Sequence, residues 1–505
     1  MNSDRPVASR PASRELQLQL DGSCGEPLFL QISRAITGDI QRGRLRPGAR
    51  LPGTRTLAGS LDVHRNTVIA AYAELTSEGW IESSRASGTF VARSLPTVRP
   101  RSFTAATSGV RARPARPGFE LRGPAPNINL NLRTNTDVMM MVGGMPDVRL
   151  APTVELARAY GRVLRKHSRA VLTYTDPYGH PRLRAELASM LSTTRGVATE
   201  ADDVLVTRGS QMALDLTARA LLEPGDVVVV ESLGYRFAWE TFKRRGAKLV
   251  PIAVDDQGLD VGALEQLAER TSIRAVSVTP HHHYPTNVTM SASRRVALLA
   301  LAQRKGFAII EDDYDHEFHF EGRPVLPLAS ADSAGVVVYI GSMSKILAPG
   351  VRIGYVVAPR ALLERLADQR MFIDQQGDRA IELAVAQLLE DGTVQRCARR
   401  ARRIYHGRRD LLGEQLQRRM GDLLSFKLPV GSMAIWAKVA PQLDVERWAE
   451  AALERKVAIR PARYFAFDAR PRPFVRLGFA ALDERELTEA VKLLAQASKV
   501  AGVSA

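Results

Sequence analysis

Apolar positions in this chain follow two rhythms, and the change between them divides it. Leu28, Ile32, Ile36 and Ile40 recur at helical spacing and lie on one helix face. The run Arg42-Gly43-Arg44-Leu45-Arg46-Pro47-Gly48 then breaks the helix. Thr54 is placed to cap a short second helix over residues 55–61. After a tight turn at Asp62-Val63-His64, a third helix over residues 65–75 carries Val68, Tyr72 and Leu75 on one face. Two short helices joined by a three-residue turn fit helix-turn-helix geometry. Residues 80–84 and 88–91 flank Arg85-Ala86-Ser87 and read as a hairpin, the wing of such a domain.

From residue 137 onward helical patterns alternate with short apolar strands: 204–207, 227–231, 249–252, 275–279, 308–311, 336–341 and 354–358. This alternation predicts an α/β domain with a largely parallel sheet. Between the two regions Pro96, Pro100, Pro114, Pro117, Pro124 and Pro126 intersperse with arginines, and apolar periodicity is lost. The expected organisation is therefore a polar, disordered arm over 1–21, a winged helix over 22–94, an extended linker over 95–136 and the α/β domain over 137–505.

Composition narrows the classes. A chain of 505 residues is too long for one ordinary core, and 45% hydrophobic with 25% charged residues suits a soluble globular protein. The apolar runs are too short to cross a bilayer, and the polar N-terminus lacks the apolar core of a signal peptide. Two distant cysteines, Cys24 and Cys397, argue against a disulfide scaffold and fit a cytoplasmic location. The net charge of +16 favours a polyanionic partner, nucleic acid before membrane. No lysine precedes Lys166, so part of this excess reflects arginine-rich composition, and charge adds little by itself.

The N-terminal run Pro27-Leu28-Phe29…Leu51-Pro52…Arg55…Arg65-Asn66-Thr67-Val68…Ala71-Tyr72…Glu78-Gly79…Gly88-Thr89-Phe90-Val91 resembles the GntR-type winged helix across its whole length. The resemblance implies that Arg55, Arg65, Asn66, Thr67 and Gly88 approach double-stranded DNA. Elementary chemistry agrees: a helix N-terminus presents unpaired N–H groups, Arg65 offers a two-pronged guanidinium, and glycine lets backbone approach phosphate. His64 stands where this family usually has the better helix-capping serine.

The strongest chemical signal is Gly341-Ser342-Met343-Ser344-Lys345-Ile346-Leu347-Ala348-Pro349-Gly350-Val351-Arg352. Pyridoxal phosphate (PLP) needs an amine for a Schiff base and cationic or N–H donors for its phosphate. Lys345 supplies the first; Ser342, Ser344 and Arg352 supply the second. Upstream, Glu311-Asp312-Asp313-Tyr314-Asp315 ends an apolar strand in carboxylates, one of which can hold the pyridine nitrogen protonated; the run alone leaves open which one. A divalent cation is the competing reading of those acids.

The whole region resembles the fold-type I aminotransferase domain, most closely that of MocR-type (GabR-like) regulators. That resemblance implies a mainly parallel central sheet with a smaller C-terminal α/β subdomain. It assigns Lys345 to the cofactor aldehyde, Asp312 to the ring nitrogen and Tyr314 to the ring oxygen. Ser210 and Gln211 take the phosphate, and Tyr235 stacks on the ring. Tyr174 reaches the phosphate of the partner in a homodimer, His282 contacts the ring, and Arg476 clamps an effector carboxylate. In His281-His282-His283-Tyr284-Pro285-Thr286-Asn287, Tyr284 occupies the position where working aminotransferases usually carry Asn, and Asn287 replaces a glycine. Three consecutive histidines point in different directions, so no metal is expected there.

The expected function is a PLP-dependent transcription regulator sensing an amino compound. An aminotransferase with a vestigial winged helix is the alternative. In a third reading PLP itself is the effector.

Overall fold

The computed structural model describes residues 18, 20, 26–84, 88–96, 118–120, 137–323 and 325–502. Apart from Leu18 and Leu20, which pack against the core of the first unit, the arm lies outside these, as do nearly all of the linker and the hairpin tip Arg85-Ala86-Ser87. The chain divides into two units, Met1–Pro126 and Asn127–Ala505.

The first unit contains α1 (Leu28–Gln41), α2 (Thr54–Leu61), α3 (Arg65–Ser77) and an antiparallel hairpin of β1 (Ile81–Ser84) and β2 (Gly88–Val91). Its core joins Ile32, Ile36 and Ile40 of α1 to Leu57, Val68, Leu75, Ile81 and Val91, so the helical apolar stripe is the buried one. Tyr72 spans the core and donates from its hydroxyl to the Pro52 carbonyl at 2.8 Å. Thr54 is the first helical residue of α2 rather than its cap; Gly53 holds the cap position, without a side-chain hydrogen bond. Thr54 faces Arg65 instead, whose Nε lies 3.4 Å from its hydroxyl.

The second unit is built on a seven-stranded sheet. The spatial order is Val204–Thr207, Gly354–Val357, Val337–Ser342, Ala308–Asp313, Ile273–Val278, Val227–Glu231 and Lys248–Ile252. All neighbours are parallel except Gly354–Val357, which runs antiparallel to both of its partners. Each expected strand is present within one or two residues of its bounds. Strand residues alternate between two cores. Val204, Val206, Val276, Ile309 and Tyr339 pack under helices Pro181–Arg195, Ala292–Lys305 and Arg379–Glu390. Leu205, Val228, Ala275, Ile310 and Ile340 pack under Ser210–Leu221, Arg236–Arg244 and Arg360–Met371. A smaller antiparallel sheet, ordered Leu424–Phe426, Ala434–Val439, Phe474–Gly478, Arg460–Pro461, packs on helices Thr393–Met420, Val445–Glu454 and Glu484–Ser498. The carboxyl ends of the parallel strands converge beside this subdomain, the place where open α/β sheets form ligand sites.

Candidate functional site

Strand Ala308–Asp313 delivers adjacent carboxylates to opposite faces, because side chains alternate along a strand. Asp313 turns into the core. Its Oδ2 accepts from Tyr339 at 2.7 Å and from His316 Nδ1 at 3.0 Å, with Arg195 at 3.8 Å, and these partners hold its carboxyl well below the usual range. Asp312 turns toward Lys345. Burial pushes its carboxyl up to about 7, Asp313 pushes the same way, and the Lys345 ammonium opposes them. Its Oδ1 is buried with no hydrogen-bond partner among the described residues. A buried carboxylate oxygen without a partner, near a lysine, fits a pyridoxal ring whose nitrogen it would hold protonated while the lysine would take the aldehyde carbon. Of the two adjacent aspartates, Asp313 is engaged by structural partners and Asp312 Oδ1 has none among the described residues.

The phosphate side is equally specific. Gly209, at φ +83°, caps helix Ser210–Leu221, so the free N–H groups of its first turn open toward the site. Arg352 lies over this turn and donates to the Arg208 carbonyl. Strand Gly354–Val357 runs so close that a Cβ on Gly354 would sit 2.6 Å from the Gly209 carbonyl carbon. Two glycines therefore bring a helix N-terminus and a guanidinium together, a cradle for a dianion. Ser210 is the first residue of that helix. The Gln211 amide nitrogen is turned to Thr241 Oγ1 at 2.8 Å, which leaves its backbone N–H for the anion. Ser342 points inward, its hydroxyl accepting from the Ser344 N–H at 3.1 Å, and thereby shapes the turn that presents Lys345.

Four aromatic rings and an arginine form the opposite wall. Tyr284 sits edge-to-face with Tyr235, Tyr314 and Phe465, and the Arg476 guanidinium lies 4.7 Å from its ring centre. Arg476 is fully buried on strand Phe474–Gly478, donating to the Pro285 carbonyl and, at 3.1 Å, to Asn287 Oδ1. Its Nε is buried and unpaired among the described residues, so it retains a donor for a carboxylate. Asn287 adopts φ +64°, the conformation expected of the residue standing for glycine. Tyr314 donates from its hydroxyl to the His282 carbonyl at 3.1 Å. The His282 ring nitrogens meet protein partners, Nδ1 with Asp315 at 2.8 Å and Nε2 with His319 Nδ1 at 3.4 Å. Tyr174 is 81% exposed. A cavity of about 670 Å³ opens on the Arg352 side, lined by Tyr160, Thr207, Arg208, Gly350 and Asp378.

In the first unit Arg55, Arg65 and Asn66 are exposed, and Thr67 is half-buried. His64 does cap α3: its Nδ1 accepts from the Asn66 N–H at 3.2 Å. Gly88 opens β2 at φ +108°, with the Arg50 guanidinium against it. Sequence reading passed over Arg50; its spacing gave no signal, and only the pairing of residue 50 with Phe90 brings it to the wing. It also passed over Arg195, Tyr339 and His316, whose network holds Asp313.

Fold and site together define a PLP-binding domain of aminotransferase type joined to a winged helix. The comparisons agree. The family model for aminotransferase class I and II matches residues 146–494, and that for bacterial regulatory proteins of the gntR family matches residues 28–91. The probable rhizopine catabolism regulatory protein MocR of Rhizobium meliloti is 32% identical over 95% of both chains. The HTH-type transcriptional regulator TauR of Rhodobacter capsulatus is 30% identical over 92% of this chain and 96% of its own. Among solved structures, the α-aminoadipate aminotransferase LysN of Thermus thermophilus, complexed with N-(5'-phosphopyridoxyl)-L-leucine, superposes with a TM-score of 0.69 at 28% identity, covering 74% of this chain and 95% of LysN. The chain belongs to the aminotransferase class I and II family, in its MocR-like branch of winged-helix transcription regulators, and its cofactor is pyridoxal 5'-phosphate. Among the described residues no helix is long and apolar enough to cross a membrane.

Proposed function

We propose that this regulator reads an amino compound bearing a carboxylate and converts its binding into a change in DNA affinity. The carrying observation is that Lys345, the orphaned Asp312 and the buried but donor-competent Arg476 are all retained in a chain that also carries an intact winged helix. When bound, PLP supplies an electrophilic carbon that an amine can capture. Lys345 holds the cofactor in the absence of effector, Asp312 keeps its ring nitrogen charged, Tyr314 donates to its ring oxygen in exchange for its bond to the His282 carbonyl, and Tyr235 covers its face. Arg352, Ser344 and the first turn at Ser210 and Gln211 hold the phosphate. Arg476 receives the effector carboxylate, for which it must exchange its bonds to Pro285 and Asn287. That exchange acts on the segment carrying Tyr284, which stacks on the same guanidinium.

On this reading the chain works as a cytoplasmic homodimer. Tyr174 reaches the partner's phosphate site and the open cavity beside Arg352 is covered by the partner. Two recognition helices, with Arg55, Arg65, Asn66, Thr67 and the wing at Gly88, then meet paired half-sites, and the segment 95–136 sets their reach. Tyr284 standing for the usual Asn favours sensing over turnover.

The test is DNA binding by the full chain on its own upstream region, with and without PLP, across a panel of amino acids. An affinity change requiring both PLP and one amino compound, and lost in Lys345→Ala, is expected. Multiple-turnover transamination with no effect on DNA binding would favour the enzyme reading, and a response to PLP alone would make the cofactor the signal.

A further inference from the structure

The histidine run does not supply three ligands from one tripeptide, yet two of its members meet a third histidine from elsewhere in the chain. His283 turns away, its nitrogens engaged by the Thr286 hydroxyl at 2.7 Å and the Leu233 carbonyl at 3.1 Å. His281 and His282 stay together, ring centres 4.2 Å apart, and the loop after strand Ala308–Asp313 brings His319 against them, its ring stacked on His282 with planes 7° apart. One nitrogen from each of the three rings lies within 4.8 Å of the others.

The hydrogen bonds fix which nitrogens are available. His281 Nδ1 lies 3.1 Å from the Val325 carbonyl, which only accepts, so Nδ1 carries the proton and Nε2 the lone pair. That Nε2 is buried and has no hydrogen-bond partner among the described residues, on a side chain only 2% exposed. His282 Nδ1 is held by Asp315, and Nε2 is engaged by a long 3.4 Å hydrogen bond with His319 Nδ1, whose shared proton a metal ion would displace. The His319 ring is tied to the Glu321 backbone. Each imidazole is thus oriented through one hydrogen bond to a carboxylate or backbone group, the arrangement by which proteins aim metal-bound histidines. Gly431 passes so close that an added Cβ would collide with His282 Nε2, so glycine is needed to leave this nitrogen room.

We infer that His281, His282 and His319 form a binding site for a divalent transition metal of the Zn²⁺ class, a site additional to the PLP site. Two imidazole nitrogens bound tetrahedrally at about 2.0–2.1 Å stand roughly 3.3 Å apart, and His282 Nε2 and His319 Nδ1 are already 3.4 Å apart. A His281 nitrogen within 4.8 Å of both must move closer to complete the triad. Three neutral imidazoles and no thiolate select Zn²⁺, Co²⁺ or Ni²⁺ over Ca²⁺ or Mg²⁺. A cavity of about 240 Å³, lined by His316, Glu317 and His319, gives the ion a path from solvent and room for a fourth, exchangeable ligand. The site adjoins the cofactor wall, since the His282 carbonyl accepts the Tyr314 hydroxyl at 3.1 Å and Tyr284 follows two residues later. A bound ion would brace that segment and add a second chemical input to the regulator.

The experiment uses the full chain, stripped with chelator and free of PLP and DNA, so its outcome is independent of the effector reading. Zn²⁺ is titrated against a chromophoric chelator, and Co²⁺ by its visible absorbance, which is intense only in four-coordinate sites. One ion per chain is expected. His281→Ala and His319→Ala each weaken binding by at least about 100-fold, Asp315→Asn weakens it by about 10–100-fold, and His406→Ala leaves it unchanged. Melting in chelator checks folding; should His281→Ala unfold, the partly exposed His319 carries the test through His319→Ala and His319→Gln. No stoichiometric Zn²⁺ binding, or folded His319 variants that bind as tightly as the parent, overturns the assignment.

Discussion

Replacing Asp312 by Asn tests the cofactor site where it is most specific. The two side chains are isosteric, so packing is preserved and only the charge is removed. The carboxylate Oδ1 is buried without a partner among the described residues, so no hydrogen bond at that oxygen is broken in the cofactor-free protein, although the attraction to Lys345 is lost. What is lost on cofactor binding is one charge-assisted hydrogen bond to the ring nitrogen, about 1.5–3 kcal/mol. At 1.4 kcal/mol per tenfold this is a weakening of PLP binding by roughly 10- to 150-fold. Asp313→Asn is the matched control: it disrupts contacts with Tyr339, His316 and Arg195 and uncovers a buried guanidinium, costing roughly 3 kcal/mol of stability, with a smaller effect on PLP. Titrating the cofactor-free chains with PLP by absorbance, and melting them in parallel, separates the two. The reasoning is refuted if Asp312→Asn binds PLP within about twofold of the parent, or if Asp313→Asn loses more PLP affinity than Asp312→Asn at an unchanged melting temperature.

Gly354→Ala places a methyl 2.6 Å and 2.8 Å from backbone atoms of Gly209, neither of which can yield. It should destabilise the domain by about 1–3 kcal/mol and weaken PLP binding, and a parent-like titration and melt would contradict the cradle. Asp312 and Glu311, each raised to about 7, and Glu231, raised to about 8, owe their shifts to burial, so each keeps a proton in the cofactor-free fold that the unfolded chain releases near pH 4, while buried His180, His281 and His283, lowered to about 4, 2 and 3, act in the opposite sense up to about pH 6.5. The carboxyl contribution is fully present below pH 4 and is lost as pH rises through 7–8. Melting temperature should therefore fall from pH 7 to pH 8.5, above the range in which the histidines titrate, less steeply in Asp312→Asn, and equal slopes would count against the assignment. Arg65→Ala, on the exposed start of α3, should cost about 1–3 kcal/mol of operator affinity in a band-shift assay, and unchanged binding would remove Arg65 from the interface. His64→Ser replaces one working N-cap by a better one and should raise stability by no more than about 1 kcal/mol, read as the melt of the full chain.

The sequence by itself determined the elements and most of the chemistry. Helical spacing marked α1 and α3, short β-branched runs marked all seven strands of the large sheet, and the Lys345 turn with the Asp312 strand marked the cofactor. These signals are local, because a helix face, a strand period or a turn is written within a dozen consecutive residues. Only the tertiary structure decided matters that depend on residues far apart. Asp313 is partnered by Arg195, Tyr339 and His316, and Thr54 faces Arg65 rather than capping α2. Arg476 is folded under Tyr284, and His281 and His282 meet His319 while His283 turns away. Burial and partnership are set by which segments the chain brings together, and a pattern along the chain carries no record of that. The same tripeptide that local geometry rules out as a metal site becomes part of one when a second loop supplies the missing nitrogen.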